Sequence, residues 1–126
     1  QKVNMDDDRL MRIYELIEGR MPLVMHCGDY RTDFSHPRRM KRILHEFPNL
    51  VVDAAHFGGW SVFDLAVEYL ENENCFLDMS SSQKFLGRRR TRELCEIYGA
   101  DRILFGSDFE KMTWHNAERF VGMDIR

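Results

Sequence analysis

The sequence is poor in several features that mark particular protein classes. Cysteine occurs three times, as Cys27, Cys75 and Cys95, widely spaced and odd in number. No C-x-x-C pair occurs, which argues against a zinc ribbon and a disulfide framework. Reduced thiols in a cytoplasmic protein are the simplest account. No apolar run is long enough to span a bilayer, and none has the layout of a signal peptide, so no membrane partner is expected. Positive charge is not in excess: 18 Lys and Arg against 21 Asp and Glu give a net charge of −3. That balance gives no electrostatic case for nucleic acid as a partner. The one basic cluster, Arg88-Arg89-Arg90 with Arg92, precedes Glu93 and Glu96. It reads as a solvated helix start, with an anion contact as the minority reading. No glycine falls into a G-x-G-x-x-G or G-x-x-x-x-G-K pattern, so the usual phosphate cradle of a nucleotide site is missing. Linker-like and low-complexity stretches are also lacking. The 126 residues therefore read as a single domain, 1–126, in which 44 % apolar residues suffice for a core.

What the chain does contain is an alternation. Residues 6–19 predict a helix with Leu10, Ile13, Tyr14 and Ile17 on one face, an acidic start and Gly19 at its end. Residues 21–28, "MPLVMHCG", predict a buried strand. Residues 35–48 predict a helix with Pro37 in its first turn and Met40, Ile43, Leu44 and Phe47 inward. Residues 50–56, "LVVDAAH", predict the next strand. Residues 61–73 predict a helix with Val62, Leu65, Ala66 and Tyr69 inward. A strand at 75–80, a helix at 89–99, a strand at 102–108 and the start of a helix at 116–121 follow. Strands alternating with helices at this spacing argue for a parallel sheet covered by helices. An open doubly wound sheet and part of a (β/α)8 barrel both satisfy the pattern, and both bind ligands beyond the C-terminal ends of their strands.

Polar residues gather on that rim. The predicted strands end in "MHCGD" with His26 and Asp29, "AHFGGW" with His56, "MSSS" with Ser80 to Ser82, and "GSDF" with Ser107 and Asp108. Imidazole nitrogen and carboxylate oxygen are the ligands of a catalytic zinc or similar divalent ion. Blander readings stand beside this one. A lone histidine at a strand end is more often structural than a ligand. "GSD" suits a turn, and Ser80 to Ser82 suit helix caps. His36 reads as a neighbour of an N-cap, His45 as a surface residue and His115 as a loop residue. Gly58 and Gly59 turn the chain away after His56 and leave a cavity open. Trp60 walls that cavity or covers the next helix. If His56 faces inward, strict alternation sends Asp53 outward to the covering helices, where Arg or Lys from 38–42 is the candidate partner.

The combination "LVMHCGD", "AAHFGGW", "LDMSSS" and "DRILFGSDF" resembles the amidohydrolase-related metal-dependent hydrolases, the branch that includes aromatic-acid decarboxylases. The resemblance covers residues 3–126 and aligns the chain with strands five to eight of a TIM barrel, its C-terminal half. It implies that His26 is a metal ligand. His56 corresponds to the histidine that orients or activates water or substrate in one-metal members and binds metal in two-metal members. Asp108 corresponds to the aspartate that contacts the metal and shuttles a proton. Trp60, Ser80 and Trp114 are pocket candidates. The implied cofactor is a divalent metal, zinc first. The implied activity is hydrolysis of an amide, ester or lactone in a small-molecule substrate, or decarboxylation of an aromatic or unsaturated acid. The family's His-x-His pair has no counterpart in this sequence, and Glu110 stands where members commonly have proline. A half-barrel leaves two sheet edges that invite pairing. An N-terminal half or a second copy, giving a homo-oligomer, would complete it. The third reading is accordingly a non-catalytic, self-associating domain.

Overall fold

In the computed structural model, which describes residues 2–106, each apolar run contains a short parallel strand and each amphipathic run a helix. The order is α1 (Asp8–Ile17), β1 (Leu23–Met25), α2 (Pro37–Glu46), β2 (Val52–Ala54), α3 (Phe63–Leu70), β3 (Phe76–Asp78), α4 (Gln83–Tyr98) and β4 (Ile103–Leu104), with one turn of 3-10 helix, Ala100–Arg102, before β4. The strands lie in the sheet as β1-β2-β3-β4, all parallel, with Val24 opposite Asp53, Asp53 opposite Phe76 and Leu77 opposite Ile103. A doubly wound sheet reverses its strand order at a switch point. Here each strand neighbours the next in sequence without reversal, which is the order of a barrel wall.

Helix α2 follows its sequence pattern. His36 is its N-cap, with Nδ1 accepting from the Arg38 N–H at 3.0 Å, and Pro37 opens the first turn. Met40, Ile43, Leu44 and Phe47 are buried. Helix α1 starts behind Asp7, whose carboxylate accepts from the Arg9 N–H at 3.0 Å. Its inner face differs from the expected one: Met11 and Tyr14 are buried and Ile13 is half exposed. The Tyr14 hydroxyl donates to the Met5 carbonyl at 2.7 Å, and its ring meets Phe47 edge-on at 6.2 Å. Those two contacts turn the Met11–Tyr14 side inward. In α3 the buried pair is Ala66 and Leu70 rather than the predicted Leu65 and Tyr69, because Gly58 and Gly59 pack against that side.

Helix α4 begins earlier than residue 89 and is broken at Gly87, which takes φ 71° and ψ 167°. Two of the arginines after the break, Arg89 and Arg90, are committed to carboxylates. Arg89 and Arg90 bond Glu93 at 3.1 and 2.9 Å, and Arg90 also bonds Asp64 at 2.5 Å. No helix among the described residues is long and apolar enough to cross a membrane.

The loops after β1 and β2 touch backbone to backbone. The Trp60 N–H donates to the Cys27 carbonyl at 2.8 Å. Gly28 sits at φ +84°, and a Cβ there would lie 2.5 Å from backbone atoms of Gly59 and Trp60. Gly28→Ala is therefore expected to cost about 2 kcal/mol or more, from left-handed strain plus overpacking. A urea melt checks this, and an unchanged midpoint would show that the loops part freely.

Candidate functional site

β1 and β2 deliver two histidines to one place. His26 follows β1 directly, and its ring lies 5.0 Å from the His56 ring, centroid to centroid, at 65°. His56 arrives by an unusual route. His56, Phe57 and Gly58 take φ values of 60°, 52° and 71°, three left-handed residues in succession. That turn ends the two-residue alternation of β2, so Asp53 and His56 serve the same side. Asp53 does not point to the covering helices. Its carboxyl hydrogen-bonds Asp78, at the end of β3. The basic residues of 38–42 pair elsewhere: Arg39 and Arg42 with Asp6, Arg38 with Asp33 and Lys41 with Glu73.

The glycines after His56 have a packing role different from the expected one. A Cβ on Gly58 would strike Leu70, and one on Gly59 would lie 2.6 Å from the Ala66 Cβ. They admit α3 against the loop. Phe57 is fully buried and stacks on Tyr98 at 6.4 Å, which anchors the left-handed turn in the core.

Hydrogen bonding assigns the ring protons. His26 Nε2 lies 2.7 Å from the Gly28 carbonyl, which can only accept, so Nε2 carries hydrogen and Nδ1 a lone pair. His56 Nδ1 lies 2.8 Å from the Ser80 carbonyl, so Nδ1 donates and Nε2 carries the lone pair. An imidazole donating one N–H to a carbonyl, with the other nitrogen basic, is the arrangement of metal-ligating histidines.

Both histidines line a cavity of about 480 Å³ with Asp29, Arg31, Trp60, Ser81 and Phe85. Trp60 meets Phe85 edge-on at 5.7 Å, and the Arg31 guanidinium lies 6.0 Å from the Trp60 ring centre. Arg31 also forks onto Asp29 at 2.9 and 2.8 Å. Those bonds hold the Asp29 carboxyl at about 2. A second cavity of about 540 Å³ shares His26 and Asp29. Ser80 is buried behind His56 instead of lining the first cavity, and Ser81 takes its place there. The capping reading of the serines does not hold. Ser82 occupies the N-cap of α4 without a capping bond, and its hydroxyl donates to the Ser80 carbonyl at 2.9 Å. Asp108, Trp114, His115 and the predicted last helix lie outside the described residues.

Among the described residues no three metal-binding side chains gather. His26 and His56 fit two ligand positions of a divalent ion by their basic nitrogens. Asp29 does not join them, since both its oxygens engage Arg31. Sequence reading missed Asp78, Arg31 and Phe85. The D-x-S spacing of "LDMS" carried the signal for Asp78, since a carboxylate two residues before a serine can bond its N–H and hydroxyl.

The family model described as amidohydrolase matches residues 1–110. No curated protein matches the chain. Among solved structures, it resembles an uncharacterised TIM-barrel protein from Bordetella bronchiseptica at 25 % identity and a TM-score of 0.63, over 85 % of this chain and 40 % of that one. It also resembles an amidohydrolase 2 from Bifidobacterium longum subsp. infantis at 14 % identity and a TM-score of 0.58, over 89 % and 43 %. A 2,6-dihydroxybenzoate decarboxylase from Rhizobium matches at 15 % identity and a TM-score of 0.57, over 93 % and 49 %. The chain thus spans less than half the length of these structures, and the latter two likenesses speak to fold alone.

Proposed function

Since the amidohydrolase model covers most of its length, the chain belongs to the amidohydrolase family, and on that premise we propose that it forms part of a metal-dependent hydrolase acting on an amide, ester or lactone. The observation that carries the reading is the His26–His56 pair, 5.0 Å apart, each with one ring N–H on a carbonyl and one basic nitrogen. In this proposal His26 and His56 hold the metal together with Asp108, and His56 and Asp108 orient and move the proton. A bound zinc ion would supply a water of lowered pKa near neutral pH. The remaining ligands come from a His-x-His-bearing half of the barrel, which pairs with the sheet edges of this one; the substrate is a small molecule.

The second reading is a non-oxidative decarboxylase of an aromatic or unsaturated acid. It is favoured by the Trp60–Phe85 wall beside the Arg31 guanidinium, which suits a planar carboxylate.

Calorimetric titration with zinc tests the common premise. His26→Ala and His56→Ala are each expected to weaken zinc binding at least about 10-fold. Equal affinity in wild type and both variants would remove the metal reading. Carbon dioxide release from aromatic carboxylates separates decarboxylation from hydrolysis. A chain that ignores zinc and self-associates on size exclusion would instead favour the interaction-domain reading.

A further inference from the structure

We propose that Asp78 is the positioning residue of this site: through Ser80 it fixes which nitrogen of His56 carries the proton, and it holds the left-handed backbone that presents the ring. Three donors converge on one of its oxygens, Oδ1. They are the His56 N–H at 3.0 Å, the Ser80 N–H at 2.9 Å and the Ser80 hydroxyl at 2.5 Å. The hydroxyl has one proton, and Asp78 takes it. Toward His56 Nδ1, 2.9 Å away, Ser80 Oγ therefore only accepts. The Ser80 carbonyl, 2.8 Å from the same nitrogen, is likewise only an acceptor. Both contacts demand hydrogen on Nδ1, and Nε2 is left basic. Were the Ser80 hydroxyl released, it could turn its proton to Nδ1 and admit the opposite tautomer.

The backbone argument is independent of the ring. Besides binding the His56 N–H through its side chain, Asp78 accepts the Phe57 N–H on its carbonyl at 2.7 Å. Two successive left-handed residues, each disfavoured by its Cβ, are thus tied to one strand end. Gly106 closes over this network, where a Cβ would lie 3.2 Å from the Ser80 Cβ. Asp53 adjoins the network through a hydrogen bond with Asp78. Burial pushes the Asp78 carboxyl up, but the bonds from Ser80, the His56 and Ser80 backbones and Asp53 outweigh it and hold it below the ordinary range.

The inference rests on His56 being a site residue, and its first readout needs neither metal nor substrate. Long-range proton–nitrogen NMR of the whole chain, taken where imidazoles are neutral, reports the His56 tautomer. Wild type is expected to show hydrogen on Nδ1. Asp78→Ala, which frees the Ser80 hydroxyl to donate to Nδ1, is expected to populate the Nε2–H form and to lower zinc affinity about 10-fold. Adding Ser80→Ala to it removes that hydroxyl, leaves the Ser80 carbonyl on Nδ1, and is expected to return the hydrogen to Nδ1. If Asp78→Ala does not fold, Asp78→Asn, whose neutral amide holds the hydroxyl proton less strongly, is expected to show the same shift in smaller degree. A folded Asp78 variant with wild-type tautomer and zinc affinity overturns the proposal. If wild type binds no zinc yet its tautomer responds as expected, the metal reading fails and the positioning role stands.

Discussion

Replacing Arg102 by methionine is expected to destabilise the domain by about 3 kcal/mol, because one side chain satisfies three carbonyls from two segments. Nε donates to the Cys75 carbonyl at 3.0 Å, Nη1 to that of Glu71 at 2.6 Å and Nη2 to that of Leu70 at 3.0 Å. The guanidinium also lies 5.6 Å from the Tyr98 ring centre, against the end of α4. Leu70 and Glu71 stand at the C-terminus of α3, where carbonyls have no partner within the helix and the dipole favours a cation. Arg102 itself sits in the turn that leads into β4. It therefore ties α3, the approach to β3, α4 and β4 together on the side of the sheet opposite the strand ends. Methionine keeps much of the apolar stem and leaves those carbonyls to water or to nothing. Arg102→Lys is expected to recover less than half of the loss, since an ammonium cannot fork across them. Urea midpoints at constant slope are the check. An unchanged midpoint in the methionine variant would mean that hydration replaces the arginine without cost.

This hub was not legible in the sequence, and the reason separates what could be read from what could not. Helix α2 was readable because its evidence is local: Pro37 sets the first turn, and Met40, Ile43, Leu44 and Phe47 repeat at helical spacing. The placing of His26 and His56 at strand ends was readable because apolar runs stop there. That the two rings meet depends on β1 lying beside β2, and the pattern allowed a doubly wound sheet as well until the unreversed order β1-β2-β3-β4 was seen. Asp53 was misplaced because the alternation rule assumes an unbroken strand. The left-handed His56 and Phe57 break it, and no residue at those positions announces a positive φ. Ile13 was misplaced because a tyrosine hydroxyl and a distant backbone carbonyl turn α1, a contact no helical periodicity contains. Ser80 was seen as a pocket residue and Asp78 not at all, since their roles exist only once β3 lies beside β2.

The stability of the chain is expected to fall as pH rises from about 4 to about 8, and Asp53→Asn is expected to remove that fall. Burial, then the charge of Asp78, pushes the Asp53 carboxyl up to about 8, against about 3.9 in an unfolded chain. Between these values the folded chain holds a proton that the unfolded chain has released. Stability then declines with pH, at up to about 1.4 kcal/mol per pH unit, and levels off above the folded value. Asp78 acts with the opposite sign and in another window. Its lowered carboxyl contributes stability above the ordinary carboxylate range that is lost as pH falls through it. The His36 ring, lowered chiefly by burial, also gains stability with rising pH near its own titration. The comparison of wild type with Asp53→Asn cancels both. An amide still donates to Asp78 and never ionises, so the variant is expected to match wild type near pH 5 and to exceed it by several kcal/mol at pH 8. Parallel pH profiles for the two proteins would show that the Asp53–Asp78 pair does not keep its proton. The pair would then carry two negative charges, one of them on Asp53, whose Oδ1 has no hydrogen-bond partner among the described residues.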